Sequence, residues 1–159
     1  MPAITPNLWF DSQAEEAAEF YVSIFPNSRI LSTVPYTEAG PGEPGTTMVV
    51  AFELDGTRLV AINGGPEFTF SEAISLQIEC EGQEEIDHYW SRLTEGGEEG
   101  PCGWLKDRFG LSWQVTPAGM DEFFDAADPD GARRAMEAMF GMKKLDVAAL
   151  RAARDAVPN

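Results

Sequence analysis

The chain has 159 residues, enough for one domain or two small modules sharing a core, and 43% hydrophobic content excludes wholesale disorder. Lys and Arg number 11 against 27 Asp and Glu, and the resulting charge of −16 opposes binding to phosphate backbones and anionic membranes. No apolar run reaches bilayer-spanning length, the first residues lack a basic region followed by an apolar one, and Cys80 and Cys102 form neither a disulfide framework nor a CxxC pair. The expectation is a cytoplasmic protein of bacterial type with reduced thiols.

Residues 4–10 are a short apolar run with Trp9 and Phe10 and predict a strand. Asp11 or Ser12 can cap a helix over 13–25, with Ala14, Ala17, Ala18, Tyr21, Ile24 and Phe25 near one face and Glu15, Glu16 and Glu19 in the early turns. Pro26-Asn27 stops it. Residues 29–34 read as a strand whose regular pairing Pro35 ends. The run AGPGEPG over 39–45 is too rich in Gly and Pro for regular structure and predicts a mobile loop. Strands over 47–54 and 57–63 flank Asp55-Gly56, a hairpin signal because Gly accepts positive φ at low cost. Asn63-Gly64-Gly65-Pro66 then breaks the chain.

The order repeats from residue 74. A strand over 74–80 alternates Ser75, Gln77 and Glu79 against Ile74, Leu76, Ile78 and Cys80. An amphipathic helix over 83–93 carries Ile86, Tyr89, Trp90 and Leu93 on one side and ends at Gly96-Gly97. A short strand near 99–102 precedes two more, 104–109 and 111–116, joined by a tight turn at Gly110. Alternation sends Ser112, Gln114 and Thr116 to one face and Leu111, Trp113 and Val115 to the other; the polar face either borders a ligand cavity or meets solvent. Setting Glu15-Glu16 against Glu84-Glu85 also pairs Phe20-Tyr21 with Tyr89-Trp90, so the chain reads as two βαβββ modules.

The last third changes character. Residues 120–126 fit one or two helical turns, Asp128-Pro129 begins a helix whose apolar side is Ala135, Met136, Met139 and Phe140, and Gly141 stops it. Asp146 caps a final helix over 146–156 with Val147, Leu150 and Ala153 facing inward. The Met-rich side reads as packing surface that covers a sheet edge or a partner subunit.

Five segments carry a family resemblance: ITPNLWFD (4–11), EEAAEFYVSIFPNS (15–28), AINGGPEF (61–68), CGWLKDRFGLSWQVTP (102–117) and MKKLDVAALRAA (142–153). They resemble the bacterial PhnB-like group labelled 3-demethylubiquinone-9 3-methyltransferase. The paired modules are similar to the wider vicinal oxygen chelate superfamily, which includes glyoxalase I, fosfomycin-resistance and bleomycin-resistance proteins and extradiol dioxygenases. The resemblance implies an α+β fold in which modules over about 1–66 and 73–118 form a glyoxalase-like curved mixed sheet around a cavity, residues 1–118 in all. A C-terminal helical extension over 119–159 follows. The resemblance further implies a homodimer, and a metal held by His, Glu or Gln from the cavity strands. Reading Asp107-Arg108-Phe109-Gly110 as the family's D-x-x-G turn, the matching ligand positions are Ser75, Gln114 and either Pro6 or Asn7.

Those residues are poor ligands. Proline offers no side-chain donor, and Ser and Asn bind zinc, iron or nickel weakly. The single histidine, His88, belongs to the second helix beside Asp87, which excludes a His-rich centre within one chain, and no carboxylate set converges recognisably for magnesium. No metal and no cofactor are therefore expected. Cys102 has no histidine to activate it and reads as a small buried thiol, although a Pro-Cys-Gly turn at a cavity mouth makes it the more accessible cysteine. There is no Ser-His-Asp set, and the glycines do not form GxGxxG before a helix, so the methyltransferase label lacks a recognisable donor site. No catalytic residue is assigned.

What remains is a pocket with Ser75, Gln77, Ser112 and Gln114 as polar contacts and Trp104, with Trp9 or Trp113, as aromatic wall, suited to a small, partly aromatic ligand. Lys106, Asp107 and Arg108 either charge its rim or stabilise the hairpin. The reading is a metal-free small-molecule-binding homodimer with no nucleic-acid or membrane partner. The alternatives are a lyase, isomerase or dioxygenase on a relaxed metal site, a 3-demethylubiquinone 3-methyltransferase as labelled, or a structural role in which the C-terminal helices are the working surface.

Overall fold

Alternation buries Leu8 and Phe10 in the strand Asn7–Phe10 (β1). It is shorter than the apolar run because Pro6 has no N–H for the ladder; Pro6 only accepts, from the Val60 N–H at 3.0 Å, and Ile4 stays exposed. The helix Ala14–Ile24 (α1) turns Ala14, Ala17, Ala18, Tyr21 and Ile24 inward, as their spacing predicts. Its start is not capped by Asp11 or Ser12. Gln13 holds the cap position without a side-chain bond, and the Ala14 N–H donates instead to Asn63 Oδ1 at 2.8 Å. Asn63 Nδ2 also donates to the Thr47 carbonyl at 3.0 Å, so one amide joins a helix end to two strands.

The computed structural model describes residues 1–157, grouped into two units divided between Phe70 and Ser71. Pro158 and Asn159, the end of the expected extension over 119–159, lie outside the described residues. In the first unit the strands Arg29–Pro35 (β2), Thr47–Leu54 (β3) and Thr57–Asn63 (β4) follow α1. β3 and β4 form an antiparallel hairpin around Asp55-Gly56, both at positive φ (45° and 89°), which suits the twist of a two-residue connection. β1 joins β4 in parallel, and β2 is the exposed edge, with register shifts on both sides of Ser32–Val34. The sheet order is β1-β4-β3-β2. The Gly- and Pro-rich stretch after β2 runs as turns over the Tyr36 ring, closed by hydrogen bonds from Tyr36 N–H to Thr46 O and from Gly45 N–H to Tyr36 O.

The second unit repeats this connectivity. The strand Leu76–Cys80 (β5) leads into the helix Gln83–Thr94 (α2), which buries the expected Ile86, Tyr89, Trp90 and Leu93. Next come Glu98–Glu99 (β6), Trp104–Lys106 (β7) and Ser112–Pro117 (β8), in the order β5-β8-β7-β6 with β5 parallel to β8. Both units are therefore βαβββ modules with open mixed sheets, and the α+β class read from the sequence is the class observed. Three strands of the second unit are shorter than expected. β5 begins at Leu76, leaving Ser75 just ahead of the ladder. β6 ends before Gly100, because the Cys102 and Gly103 N–H groups donate outside the sheet, to Met142 O and Lys143 O at 2.8 Å. β7 stops at Lys106, where the chain turns.

Beyond β8 the chain forms a short 3-10 helix, Met120–Phe124, and the helices Pro129–Phe140 (α3) and Val147–Asp155 (α4). Asp128 and Asp146 cap the two helices, accepting from the N–H groups of Gly131 and Ala149 at 3.0 Å. Phe123, Ala135, Leu145 and Leu150 form their common core. Gln83 fastens this bundle to α2: its Nε2 donates to Leu145 O at 3.0 Å and its Oε1 accepts from the Val147 N–H at 2.8 Å. Met136 and Phe140, expected in the packed stripe, are instead exposed. Among the described residues no helix is long and apolar enough to cross a membrane.

Asn63→Ala removes the acceptor for α1 and the donor to β3 together. We expect a loss of about 1–3 kcal/mol, from a missing cap and one further hydrogen bond, read as a lower denaturation midpoint with unchanged slope in urea.

Candidate functional site

The turn between β7 and β8 sets the geometry of the second sheet. Asp107 is 3% exposed, and its carboxylate accepts three bonds: Phe109 N–H (2.9 Å) and Leu111 N–H (3.1 Å) on Oδ1, and the Trp113 indole N–H (2.9 Å) on Oδ2. The Asp107 N–H donates to Leu111 O, and the Gly110 N–H to Asp107 O, both at 2.9 Å. Gly110 takes φ 85°, which glycine adopts without a Cβ clash. Asp107 is thus the knot of the hairpin and not a charge at its rim. Arg108 reaches Glu95 at 3.7 Å.

With the turn held, β8 alternates cleanly. Trp113 and Val115 are buried with Leu111, whereas Ser112, Gln114 and Thr116 line a cavity of about 800 Å³. Pairing brings further side chains to that face. Gln77 of β5 and Trp104 of β7 flank Gln114 in one cross-strand row, and Lys106 stands opposite Ser112 in the next. Gln77 Nε2 donates to Thr116 Oγ1 at 3.0 Å, and Gln114 Nε2 donates to Ser75 Oγ at 2.9 Å. Ser112 Oγ is buried with no hydrogen-bond partner among the described residues. Met120, Phe124, Met139 and Phe140 supply the facing apolar wall, so the 3-10 helix and α3 complete the cavity.

Of the pocket residues named from the sequence, Gln77, Trp104, Ser112 and Gln114 line one cavity, and Ser75 supports it from behind Gln114. Trp113 is not a wall, because it stands on the opposite face of β8 and bonds to Asp107. Trp9 packs inside the first unit, edge-on to Phe68, with its indole N–H on Gly65 O at 3.0 Å. The wall from the C-terminal helices carries no signal of its own in the sequence, because an apolar helical stripe looks alike whether it meets a core or a cavity. The first unit has its own cavity of about 610 Å³, and several of its polar side chains are engaged within the unit. There Tyr36 Oη donates to Asn63 O, and Thr47 Oγ1 donates to Glu15 at 2.7 Å.

Charge gathers at the mouth of the second-unit cavity. Glu72, Glu98 and Glu99 line it against one ammonium, Lys106, which is ion-paired with Glu72. Their mutual hydrogen bond holds the Glu72 carboxyl below its ordinary range and pushes the Lys106 ammonium up. Cys102 lies at the cavity edge, half-buried, at φ 58°. Cys80 is fully buried, and desolvation, with Glu85 nearby, raises its thiol to about 12.

A metal of the kind implied by the superfamily resemblance does not fit the residues present. Ser75 Oγ is engaged by Gln114, which keeps only a neutral carbonyl oxygen; Asn7 donates its amide to Thr5 O at 3.0 Å, and Pro6 has no donor atom. Among the described residues no group of three or more His, Cys, Asp or Glu is placed to hold a metal ion. His88 is exposed on α2, its ring against Tyr89.

A sequence model of the family described as 3-demethylubiquinone-9 3-methyltransferase matches residues 2–116. Among solved structures the chain is similar to the PhnB protein of Bacillus cereus, which carries the same methyltransferase label, at 39% identity over 74% of this chain and 100% of that one, with a TM-score of 0.66. It is similar in fold to protein PA1353 of Pseudomonas aeruginosa (20% identity, 74% and 98% covered, TM-score 0.62). The same holds for the fosfomycin resistance protein FosX of Listeria monocytogenes, solved with Mn(II) and sulfate (17% identity, 76% and 95% covered, TM-score 0.52). No curated protein sequence matches the chain.

Asp107→Ala strands a buried indole N–H and two turn amides. At about 1–3 kcal/mol for each of the two buried donors left unpaired, it is expected to cost at least about 2 kcal/mol, with Asp107→Asn retaining part of the stability. Urea denaturation measures both. Thiol titration of the native protein is expected to count Cys102 alone, and Cys80 only after denaturation.

Proposed function

The chain belongs to the family described as 3-demethylubiquinone-9 3-methyltransferase, within the vicinal oxygen chelate superfamily, and on that premise we propose that its second module binds a small organic molecule without a metal. One observation carries this: a cavity of about 800 Å³ in which the hydroxyl and amide row of β8 faces the apolar side chains of the 3-10 helix and α3. Apolar walls provide burial and a few polar groups fix orientation, the usual division of labour in ligand sites. The donor set supports the metal-free reading, since Ser75 and Gln114 already satisfy one another. We further propose a cytoplasmic homodimer with no cofactor and no nucleic-acid or membrane partner, in keeping with the charge of −16.

Metal analysis and native mass spectrometry of untreated protein test the reading together. We expect substoichiometric metal, unchanged by Gln114→Ala, and a dimer mass with a retained small molecule. One equivalent of divalent metal per chain, lost in Gln114→Ala, would overturn it. The methyl transfer named by the family label is tested by calorimetry with S-adenosylmethionine, for which no binding heat is expected.

A further inference from the structure

What the cavity takes can be narrowed, given the reading of it as a ligand site. Ser112 is 1% exposed, lines the cavity, and its Oγ has no hydrogen-bond partner among the described residues. The amide donors around it are engaged, Gln77 with Thr116 and Gln114 with Ser75, so among the described residues Ser112 Oγ is the buried side-chain oxygen left without a partner. Leaving a buried hydroxyl unpaired destabilises the free protein, and alanine would fill the same place without that penalty. A serine there makes physical sense when a ligand's polar group completes its bonding. A hydroxyl both donates and accepts, so either a hydroxyl or a carbonyl on the ligand meets the need.

The charges at the mouth point the same way. Glu72, Glu98 and Glu99 face one Lys106, and Glu72 already pairs with that lysine. An anion entering the cavity therefore meets excess negative charge and a cation whose partner it must displace. Trp104, Phe124 and Phe140 present aromatic surface to the bulk of the ligand.

We propose that the cavity selects an uncharged or cationic organic molecule with an aromatic or otherwise apolar body and one hydroxyl or carbonyl that hydrogen-bonds Ser112 Oγ, and that it rejects anions, phosphorylated compounds included. Four compounds of one shape test this: toluene, p-cresol, p-toluate and 4-methylbenzylammonium. Each is titrated into the full chain and into Ser112→Ala and Glu98→Gln, following the Trp104 amide and indole signals by NMR. The native protein binds p-cresol about five- to tenfold tighter than toluene, the value of one hydrogen bond, and Ser112→Ala abolishes that advantage while leaving toluene unchanged. p-Toluate binds about tenfold or more weaker than p-cresol, and Glu98→Gln narrows the gap; 4-methylbenzylammonium shows no such deficit. In the absence of ligand, Ser112→Ala raises the Tm by about 2–4 °C, as removal of an unpaired buried group should. Equal affinity for toluene and p-cresol, a p-cresol advantage that survives Ser112→Ala, or preference for p-toluate overturns the proposal while the cavity reading stands. If none of the four moves the Trp104 signals, the cavity reading fails and the proposal with it.

Discussion

A buried carboxylate costs free energy unless nearly every lone pair is matched, and the second module is organised around meeting that condition at Asp107. Two turn amides and one indole converge on it, from Phe109, Leu111 and Trp113. The first two close the connection between β7 and β8; the third reaches along β8 and fixes which face Trp113 occupies. In a strand, fixing one residue fixes its neighbours in alternation, and a slip of one position would reverse every side chain. With Trp113 held inward, Ser112 and Gln114 have to face the cavity, opposite Lys106 and Trp104. The site's polar row is a consequence of a structural knot on the other side of the sheet.

Two modules of the same connectivity arrive at different surfaces because they spend their polar groups differently. In the first, Asn63 bonds to the start of α1 and to β3 and its carbonyl accepts from Tyr36, so two side chains of its cavity lining are spent on holding the module together. In the second, the corresponding helix start carries Gln83, which bonds outward to the chain around Leu145 and Val147. That attachment draws the C-terminal helices onto the module. It places Met120, Phe124, Met139 and Phe140 across from β8, so that one sheet gains a second wall.

How much of this was readable in the sequence depended on the range of the interaction. The β3–β4 hairpin was legible to the residue, because Asp55-Gly56 and the alternation around it are local. The polar face of β8 was legible too, since a period of two needs no tertiary information. Asp107 was legible in part: hairpin stabilisation was one of its two readings, but its burial was not, since the indole six residues on that needs an acceptor is visible only in the fold. Nor was the cap of α1, which lies 49 residues away on Asn63. β6 came out short for the same kind of reason, since the amides of Cys102 and Gly103 are claimed by carbonyls of Met142 and Lys143.

The pairing of Gln114 with Ser75 ties the metal question to the ligand question. A side-chain amide has one donor end and one acceptor end, and here the donor end is fixed on the serine hydroxyl at 2.9 Å. This pair leaves one neutral oxygen, a weak donor toward a divalent cation. The same bond holds the amide plane still, between Gln77 and Trp104 in the cross-strand row. A rigid neutral acceptor beside an unpaired hydroxyl suits directional hydrogen bonding to an organic molecule, whereas a metal centre needs converging charge. On the proposed reading, cavity chemistry turns on which hydrogen bonds are already made, and Ser112 Oγ is the buried hydroxyl left to make one.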